Sequence, residues 1–148
     1  MISINDLSVA YGNWTLLDRI SFHISESDKI GLVGKNGAGK STILKLLCGE
    51  QSPSSGTIDK PQHVTMGYLP QIIHFDHPDW NLVENMMAAK RGLSAQSARN
   101  RLAAYDFAGE DVFKPVGNLS GGEQSRLRLC MLMDEKINLL ILDEPTNH

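Results

Sequence analysis

A glycine-rich octapeptide carries the clearest chemical signal in the sequence. Residues 34–41 read Gly-Lys-Asn-Gly-Ala-Gly-Lys-Ser and match the pattern G-x-x-x-x-G-K-[ST] without a mismatch. Glycines let the backbone curl until successive N–H groups point at one anion, and the start of a following helix adds its partial positive charge. Lys40 can then reach the β and γ phosphates of a nucleotide, and the Ser41 hydroxyl can hold Mg²⁺. The pattern therefore predicts a phosphate-binding loop.

Two other interpretations of this loop fit less well. A glycine-rich turn that binds nothing is disfavoured by the context on both sides. The apolar run Lys29–Val33 predicts a buried strand before the loop, and Ser41–Cys48 predicts an apolar-faced helix after it. A dinucleotide-binding loop has no use for a lysine and a serine at these places.

Two adjacent carboxylates follow an apolar strand near the end of the chain. Leu139–Leu142 leads directly into Asp143 and Glu144, and ligands of open α/β sheets bind at the carboxyl ends of strands. Asp143 is placed to hold Mg²⁺ through its water shell, and Glu144 can address an attacking water as general base. Solvated acids after an apolar strand are the plain alternative. The phosphate loop upstream favours the catalytic interpretation.

The order of predicted elements indicates how these groups are positioned. Apolar alternation or continuous apolar runs predict strands at Ile2–Ala10, Ile20–Ile24, His63–Leu69 and Ile137–Leu142. Helical spacing dominates from Asn81 to Asp111, where Ser94 is a candidate cap, and again from Gly122 to Met133. Strands, a phosphate loop, a helical insert and a last strand indicate an α/β fold with an inserted helical lobe.

Composition limits the class of protein. The 148 residues are 41% hydrophobic and 21% charged, which suits one globular domain. The net charge of −3 provides no net basic field for nucleic acid. No apolar run approaches the roughly 18 residues that a membrane span needs, and no secretory signal is visible. Cys48 and Cys130 are too few for a disulfide scaffold and are interpreted as reduced core residues.

Four further segments make the sequence resemble the nucleotide-binding domain of an ABC ATPase. Residues 119–124, Leu-Ser-Gly-Gly-Glu-Gln, are similar to the family's signature loop, with Glu in place of the usual Gln. Gln71 resembles the Q-loop glutamine, and Tyr11 resembles the aromatic residue that stacks on adenine. Residues 143–148, Asp-Glu-Pro-Thr-Asn-His, resemble the start of the family's DEPTNHLD run. The Thr-Asn-His run is most similar to the ABC-F branch, whose members are soluble tandem-domain proteins that act on the ribosome.

The resemblance implies a specific architecture. It predicts an α/β fold of the P-loop NTPase, ABC type, with a parallel-sheet core, an N-terminal antiparallel β subdomain and an inserted helical lobe. The β subdomain and P-loop core would occupy residues 1–80, the helical lobe and signature loop residues 81–122, and the signature helix and Walker B strand residues 123–148. The C-terminal part of the fold, with the D-loop and the switch histidine, would be missing.

The resemblance also implies the ligands and the residues that hold them. ATP and Mg²⁺ are the expected cofactors, with adenine on Tyr11. Lys40, Gln71 and Glu144 would be catalytic, and Ser41, Gln71 and Asp143 would hold the metal. The expected nucleotide contacts are Tyr11, Gly34, Lys35, Asn36, Gly37, Ala38, Gly39, Lys40, Ser41, Thr42, Gln71, Ser120, Gly121, Gly122 and Glu123. The signature residues would contact the γ-phosphate of an ATP bound to an opposing domain.

The expected function is ATP binding and hydrolysis, with ATP-driven closure against a second ABC domain. The interval between Gln71 and Leu119 leaves little room for the arm of a first ABC-F domain, so a second domain is expected. The ribosome or its RNA would be a partner, in the cytoplasm and without membrane insertion. One alternative is the ATP-binding subunit of an ABC transporter. Another is a regulatory module without turnover, which Glu144 disfavours. Because residues that follow His148 in the family are absent, the segment alone is expected to be marginally stable with negligible turnover.

Overall fold

The chain folds into two compact units. The computed structural model describes residues 1–133 and 136–143. The first unit runs from Met1 to Met66, and the second begins at Gly67. No helix within the described ranges is both long enough and apolar enough to cross a membrane.

A three-stranded antiparallel sheet forms the frame of the first unit. β1 (Ile2–Tyr11) and β2 (Trp14–Ile24) form a hairpin, and β3 (Ser55–Asp59) pairs with the other edge of β1. The apolar side chains of β1 are almost fully buried; they are Ile2, Ile4, Leu7 and Val9. The two strands predicted at the N-terminus are confirmed, and β2 begins earlier than its alternating segment indicates. β3 was not predicted, because Ile58 is its only large apolar residue.

The predicted helix after the glycine-rich loop is confirmed. α1 spans Lys40–Cys48 and ends at Gly49, which adopts a left-handed φ of 79° and donates its N–H to the Leu46 carbonyl. A glycine pays no Cβ penalty in this conformation, so it is the preferred residue after a helix. Leu46 and Leu47 are the buried side chains of α1.

The buried strand predicted at Lys29–Val33 is wrong. These residues adopt no strand, and their apolar side chains are exposed, Ile30 at 57%, Leu32 at 42% and Val33 at 94%. An apolar run becomes a strand only where neighbouring strands take up its N–H and C=O groups. In the described part of the first unit, the sheet consists of β2, β1 and β3, and none of them pairs with this segment. The glycine-rich loop therefore follows a segment that none of these strands pairs with.

Helices make up most of the second unit. α2 spans Leu82–Ala89, α3 spans Ala95–Ala103 and α4 spans Gly121–Met133, with two 3₁₀ turns at Gly109–Phe113 and Val116–Asn118. The predicted cap is confirmed, since the Ser94 side chain accepts from the Ser97 N–H. One apolar cluster joins these elements, and its fully buried members include Leu82, Ala98, Leu102, Val116 and Leu127. The helical lobe thus forms a core of its own within the second unit.

A short two-stranded sheet completes the second unit. β4 (Met66–Leu69) pairs with β5 (Leu139–Leu142). The N–H of Asp143, directly after β5, donates to the carbonyl of Leu69, the last residue of β4, at 3.0 Å. The carboxyl ends of both strands therefore lie side by side, as in a parallel pair. An antiparallel sheet in the first unit, with a parallel strand pair and a helical lobe in the second, confirms the predicted α/β class.

Candidate functional site

The glycine-rich loop turns tightly into α1. Gly37 and Gly39 adopt left-handed φ values of 79° and 95°, and Gly39 is the residue before the helix. A Cβ built on Gly39 would lie 2.9 Å from Cδ2 of Leu17 in β2. Both the backbone conformation and the space thus require glycine here. Gly39, the pattern's second glycine, lets the loop pack against β2 and still start a helix.

The Lys40 ammonium is held by the loop itself. Its Nζ donates to the carbonyl oxygens of Gly34, at 2.8 Å, and Lys35, at 3.1 Å. The Ala38 N–H also donates to the Lys35 carbonyl, at 3.1 Å, which closes the turn. The side chain of the first residue of α1 therefore reaches back over the loop. A positive charge is placed at the helix end that already favours an anion.

The first residues of α1 add further donors. Ser41 and Thr42 follow Lys40 in the first turn of the helix, and both are partly buried. The N–H groups of a helix's first turn have no intrahelical acceptor, so a phosphate is a natural partner for them. The predicted stretch from Gly34 to Thr42 is thus brought together in one loop and helix start. Lys35, Asn36 and Gly37 lie exposed at its outer turn.

Tyr11 lies at the end of β1, where the hairpin turns. It pairs with Trp14 across the two-residue turn, and the two rings stack with centroids 6.3 Å apart. The Tyr11 hydroxyl accepts a hydrogen bond from Nε2 of Gln51 at 2.8 Å. Sequence reasoning singled out Tyr11 and missed Gln51. The turn at Gly12 and Asn13 could have signalled Trp14, because a two-residue turn places its flanking residues opposite each other.

The predicted signature residues form the start of α4. The Ser120 N–H donates to Oε2 of Glu123 at 2.8 Å, and the Glu123 N–H donates to Oγ of Ser120 at 3.3 Å. These two bonds make a capping box, in which side chains satisfy N–H groups at the start of a helix. Two hydrogen bonds lower the pKa of the Glu123 carboxyl. The larger effect comes from the Ser120 N–H and the smaller from the Ser120 hydroxyl. Gly121 and Gly122 are exposed in the first turn of α4.

Side chains from the next turn of α4 fix the signature segment. Nε2 of Gln124 donates to the carbonyls of Val116 and Leu119, each at 3.4 Å. The Arg126 guanidinium lies over the Phe107 ring, 4.6 Å from its centroid, and 3.9 Å from the Asp106 carboxylate. Neither Gln124 nor Phe107 was among the predicted site residues.

Asp143 lies buried at the end of β5, with 6% of its surface exposed. The Tyr68 hydroxyl donates to its Oδ2 at 3.3 Å. Gln71 is exposed and lies two residues after the end of β4. Gln71 and Asp143 therefore follow the adjacent carboxyl ends of two paired strands, as the ligands of an α/β sheet edge do. Tyr68 was not predicted, because only the tertiary fold brings it to Asp143.

Two predictions concerning the acidic strand end remain predictions. Glu144, the predicted general base, lies outside the described residues, as do residues 145–148. The predicted Mg²⁺ ligands fall in both units, with Ser41 in the first and Gln71 and Asp143 in the second. Their hydroxyl, amide and carboxylate oxygens are the donor types that Mg²⁺ prefers, so the residue types fit the metal.

Comparison with known families identifies a match that spans most of the chain. The profile of the family described as ABC transporter matches residues 17–147. The matched range contains the glycine-rich loop, the signature segment and Asp143.

Curated relatives match the whole chain. The chain is 40% identical over its full length to an ATP-binding protein, YdiF, of Bacillus subtilis. It is 36% identical to the ATP-binding protein YheS of Escherichia coli, again over its full length. It is 35% identical over 99% of its length to the energy-dependent translational throttle protein EttA of Escherichia coli. The chain spans 23%, 23% and 27% of these relatives, or about a quarter of their length.

Solved structures share the fold. One is a metal-chelate type ABC transporter in an inward-facing conformation, with a TM-score of 0.78 and 24% identity over 98% of this chain and 61% of the other. Another is a dimeric ATP-binding cassette in a post-hydrolysis state bound to ADP and Pi. Its TM-score is also 0.78, with 20% identity over 99% of this chain and 75% of the other. At these identities the likeness concerns the fold alone.

Proposed function

The chain belongs to the ABC transporter family, and on that premise we propose that it binds ATP with Mg²⁺ and takes part in ATP hydrolysis with a second domain of its kind. Membership confirms the resemblance to an ABC ATPase domain that the motifs predict. The chain supplies a phosphate loop, a signature segment and an acidic strand end, which are the parts that such a reaction needs.

The observation that carries the proposal is the position of Lys40. Its ammonium is bonded to two carbonyls of the loop, at 2.8 and 3.1 Å, and it lies on the first residue of α1. A phosphate at the loop would meet this charge together with the free N–H groups of the helix start. Gly37 and Gly39 adopt the left-handed conformations that let the loop backbone turn around an anion.

The strand end supports the proposal on the metal side. Asp143 is buried and fixed by the Tyr68 hydroxyl and by its own N–H, so its carboxylate is pre-positioned. In this proposal Asp143, with Ser41 and Gln71, would hold Mg²⁺, which offsets the charge of the phosphates when it is bound. Glu144 would act as general base on the attacking water.

The signature segment gives the reason for a second domain. Ser120 caps α4, so its hydroxyl and the N–H groups of Gly121 and Gly122 lie at a helix start. Such a group of donors suits a phosphate. We propose that it serves the ATP of an opposing domain, while the phosphate loop serves the chain's own ATP. The dimeric ATP-binding cassette with the same fold supports this pairing.

Among ABC proteins, we propose the ABC-F branch. The relatives at 35–40% identity are named as ATP-binding proteins or as a translational throttle, and the last name supports action on the ribosome in the cytoplasm. Because this chain spans about a quarter of those relatives, the whole protein's task extends beyond it. The short interval between Gln71 and Leu119 supports a second rather than a first domain.

Transport is the second candidate function. Its support is the fold of a metal-chelate type ABC transporter, at 24% identity. The two candidate functions predict different cellular locations for the protein that carries this chain. Sedimentation of cell extracts with Mg²⁺ and ATP should place it with ribosomes if it is an ABC-F protein. Recovery with the membrane fraction, resistant to high salt, would favour transport instead.

The proposed hydrolysis is tested in the protein that carries this chain. Lys40→Ala should weaken the binding of a fluorescent ATP analogue by at least tenfold, because it removes the charge at the phosphates. Glu144→Gln should retain ATP binding and reduce turnover by at least a hundredfold, since it removes a general base. Unchanged binding in Lys40→Ala, or unchanged turnover in Glu144→Gln, would contradict the respective assignment.

A further inference from the structure

We propose that Gln51 and Trp14 are positioning residues for the base of the bound nucleotide. Together they fix the ring of Tyr11 and leave one of its faces open. This inference rests on the proposed nucleotide binding, with adenine on Tyr11. It adds two residues that neither the sequence motifs nor the phosphate loop identify.

Trp14 covers one face of the Tyr11 ring. The two residues form the last pair of the β1–β2 hairpin, and their rings lie 6.3 Å apart between centroids at an interplanar angle of 28°. A base between two rings needs about 7 Å, twice the ~3.5 Å contact distance of stacked carbon atoms. The tilted rings therefore leave no room for a base between them. A base must stack on the other face of Tyr11.

Gln51 fixes the far end of the same ring. Its Nε2 donates to the Tyr11 hydroxyl at 2.8 Å, a short bond for an amide donor. Tyr11 is 52% exposed, so packing alone does not determine the position of its ring. The hydroxyl oxygen lies on the long axis of the ring, so holding it restrains the first side-chain torsion of Tyr11 and the direction of that axis. The second torsion, which sets the ring plane, is restrained by the indole of Trp14. The ring is thus restrained by the indole on one face and by the amide at its tip.

The segment that carries Gln51 is itself anchored at both ends. At its start, Gly49 closes α1 and the Glu50 N–H donates to the Lys45 carbonyl at 2.9 Å. At its end, the Ser54 N–H donates to the Ser8 carbonyl at 2.9 Å, and the Ser54 hydroxyl accepts from the Ala10 N–H at 3.0 Å. Gln51 is therefore tied to β1, next to the residue whose hydroxyl it holds.

This arrangement connects the two ends of the proposed nucleotide site through one helix. Lys40, at the first residue of α1, faces the phosphates in the proposed function. The turn that follows the last residue of α1 carries Gln51, which holds Tyr11. A base stacked on Tyr11 would then have a fixed position relative to the loop. Stacking on a fixed ring loses less conformational entropy than stacking on a free one.

The test compares two ligands that share phosphates and differ in the base. ATP and inorganic tripolyphosphate, each with Mg²⁺, are titrated calorimetrically into the full chain and its variants. Gln51→Leu removes the hydrogen bond, while Gln51→Glu keeps one, because its carboxylate can accept from the tyrosine hydroxyl. Trp14→Phe keeps an aromatic ring against the face of Tyr11, and Trp14→Ala removes it. Circular dichroism of each variant confirms that it is folded before titration.

We expect Gln51→Leu and Trp14→Ala to weaken ATP binding three- to tenfold and to leave the affinity for tripolyphosphate unchanged. Gln51→Glu and Trp14→Phe should bind ATP within twofold of the parent. Unchanged ATP affinity in both disruptive variants would overturn the inference. An equal loss for both ligands would also overturn it, because it would indicate a general structural role. If the unaltered chain binds neither ligand, the proposed function itself fails; if it binds tripolyphosphate and ATP equally, only the base site fails.

Discussion

Ser120 and Glu123 exchange two hydrogen bonds across the first turn of α4, N–H to Oε2 at 2.8 Å in one direction and N–H to Oγ at 3.3 Å in the other. The Ser120 hydroxyl oxygen accepts from the Glu123 N–H, and the hydroxyl also bonds the Glu123 carboxylate, which contributes to the lowered pKa of that carboxyl. Ser120 and Glu123 thus hold each other at the start of the helix. The Glu123 carboxylate, in turn, occupies the Ser120 N–H, which is therefore not available to a phosphate.

The first prediction concerns the pH dependence of this pair. The bonds from Ser120 lower the pKa of Glu123 below its ordinary value of 4.5. A carboxyl with a lowered folded-state pKa stabilises the fold above its unfolded pKa, and the contribution is lost as the pH falls through the folded value. Glu123→Gln, which does not titrate, should therefore be less stable than the parent at pH 7. The difference should shrink as the pH falls below about 4.5.

Urea unfolding at pH 7, 5, 4 and 3 measures this difference. Glu26→Gln, at an exposed turn residue, is the control for removing one negative charge. A stability difference between Glu123→Gln and the parent that is the same at every pH would contradict the prediction.

The second prediction concerns Tyr68 and its bond to the Asp143 carboxylate. Tyr68→Phe removes the hydroxyl that orients this proposed metal ligand, so Mg²⁺-dependent ATP binding should weaken about two- to fivefold, the equivalent of a hydrogen bond of ~0.5–1 kcal/mol. Binding of ATP in the presence of a chelator should not change. Tyr105→Phe is the matched control, because Tyr105 is a partly buried tyrosine packed against the lobe core. An equal loss with and without Mg²⁺ would show that Tyr68 does not act through Asp143.

The third prediction concerns a buried amide that fixes the loop before α2. Asn85 is 6% exposed, and its Nδ2 donates to the carbonyls of His77, Trp80 and Asn81 at 3.0–3.2 Å. Asn85→Ala removes all three bonds made by this buried side chain, so the free energy of unfolding should fall by about 1–3 kcal/mol. Asn100→Ala, on the exposed side of α3, should change it by less than about 0.5 kcal/mol. Denaturant titration of both variants measures these changes in the free energy of unfolding. Equal changes in the two variants would contradict the role of the buried amide.

The parts of this fold that the sequence predicts are those whose signals are local. The glycine-rich loop, Lys40 and the helix that follows are contiguous, so their residue types and their geometry arise from the same few residues. The cap at Ser94 is equally local and is confirmed. A motif of this kind encodes its own structure, which is why the site was recognisable before any tertiary information.

Features that depend on distant pairing were missed or predicted wrongly. β3 contains one large apolar residue and forms because β1 offers it an edge. Residues 29–33 are apolar enough for a buried strand, but no described strand of their unit pairs with them. Tyr68 and Asp143 are 75 positions apart, and Gln51 and Tyr11 are 40 apart, so no sequence window contains either contact. The supporting residues of the site therefore appear only in the folded chain.

The fourth prediction separates steric collision from backbone strain at two glycines. Gly56 in β3 has a φ of 86°, and a Cβ there would lie 2.4 Å from the backbone oxygen of Asp6. Gly49 has a similar φ of 79°, but a Cβ there would meet no atom within 4 Å. Gly49→Ala should therefore cost only the left-handed conformation, about 1–2 kcal/mol. Gly56→Ala must in addition move backbone and should cost at least about 2 kcal/mol more.

Thermal and urea unfolding of both variants measure these costs. Equal losses of stability for Gly49→Ala and Gly56→Ala would mean that the β1 backbone at Asp6 moves to admit the Cβ without a cost in free energy. That result would contradict the close approach of β3 to β1.

The last prediction concerns the reactivity of the two cysteines. Burial raises the pKa of Cys130 to about 11, and burial together with Glu50 raises that of Cys48 to about 11. The thiolate is the reactive form of a cysteine. At pH 8 about 0.1% of a thiol of pKa 11 is present as thiolate, against about 10% of a thiol of pKa 9. Cys48, which can react without unfolding, should therefore react with a disulfide reagent roughly a hundredfold more slowly in the folded chain than in the unfolded chain. The rate should rise about tenfold per pH unit between pH 7 and 9.

The two cysteines should then differ in how they respond to mild denaturant. Cys48 is partly exposed and can react in the folded state, so subdenaturing urea should leave its rate nearly unchanged. Cys130 is 2% exposed, and its Sγ lies 3.8 Å from the Arg101 carbonyl, so it must be uncovered before it reacts. Its rate should therefore increase with urea as local openings become more frequent. Single-cysteine variants, Cys48→Ala and Cys130→Ala, allow each rate to be followed alone; a urea-independent rate for Cys130 would show that the lobe core around α4 admits the reagent without opening.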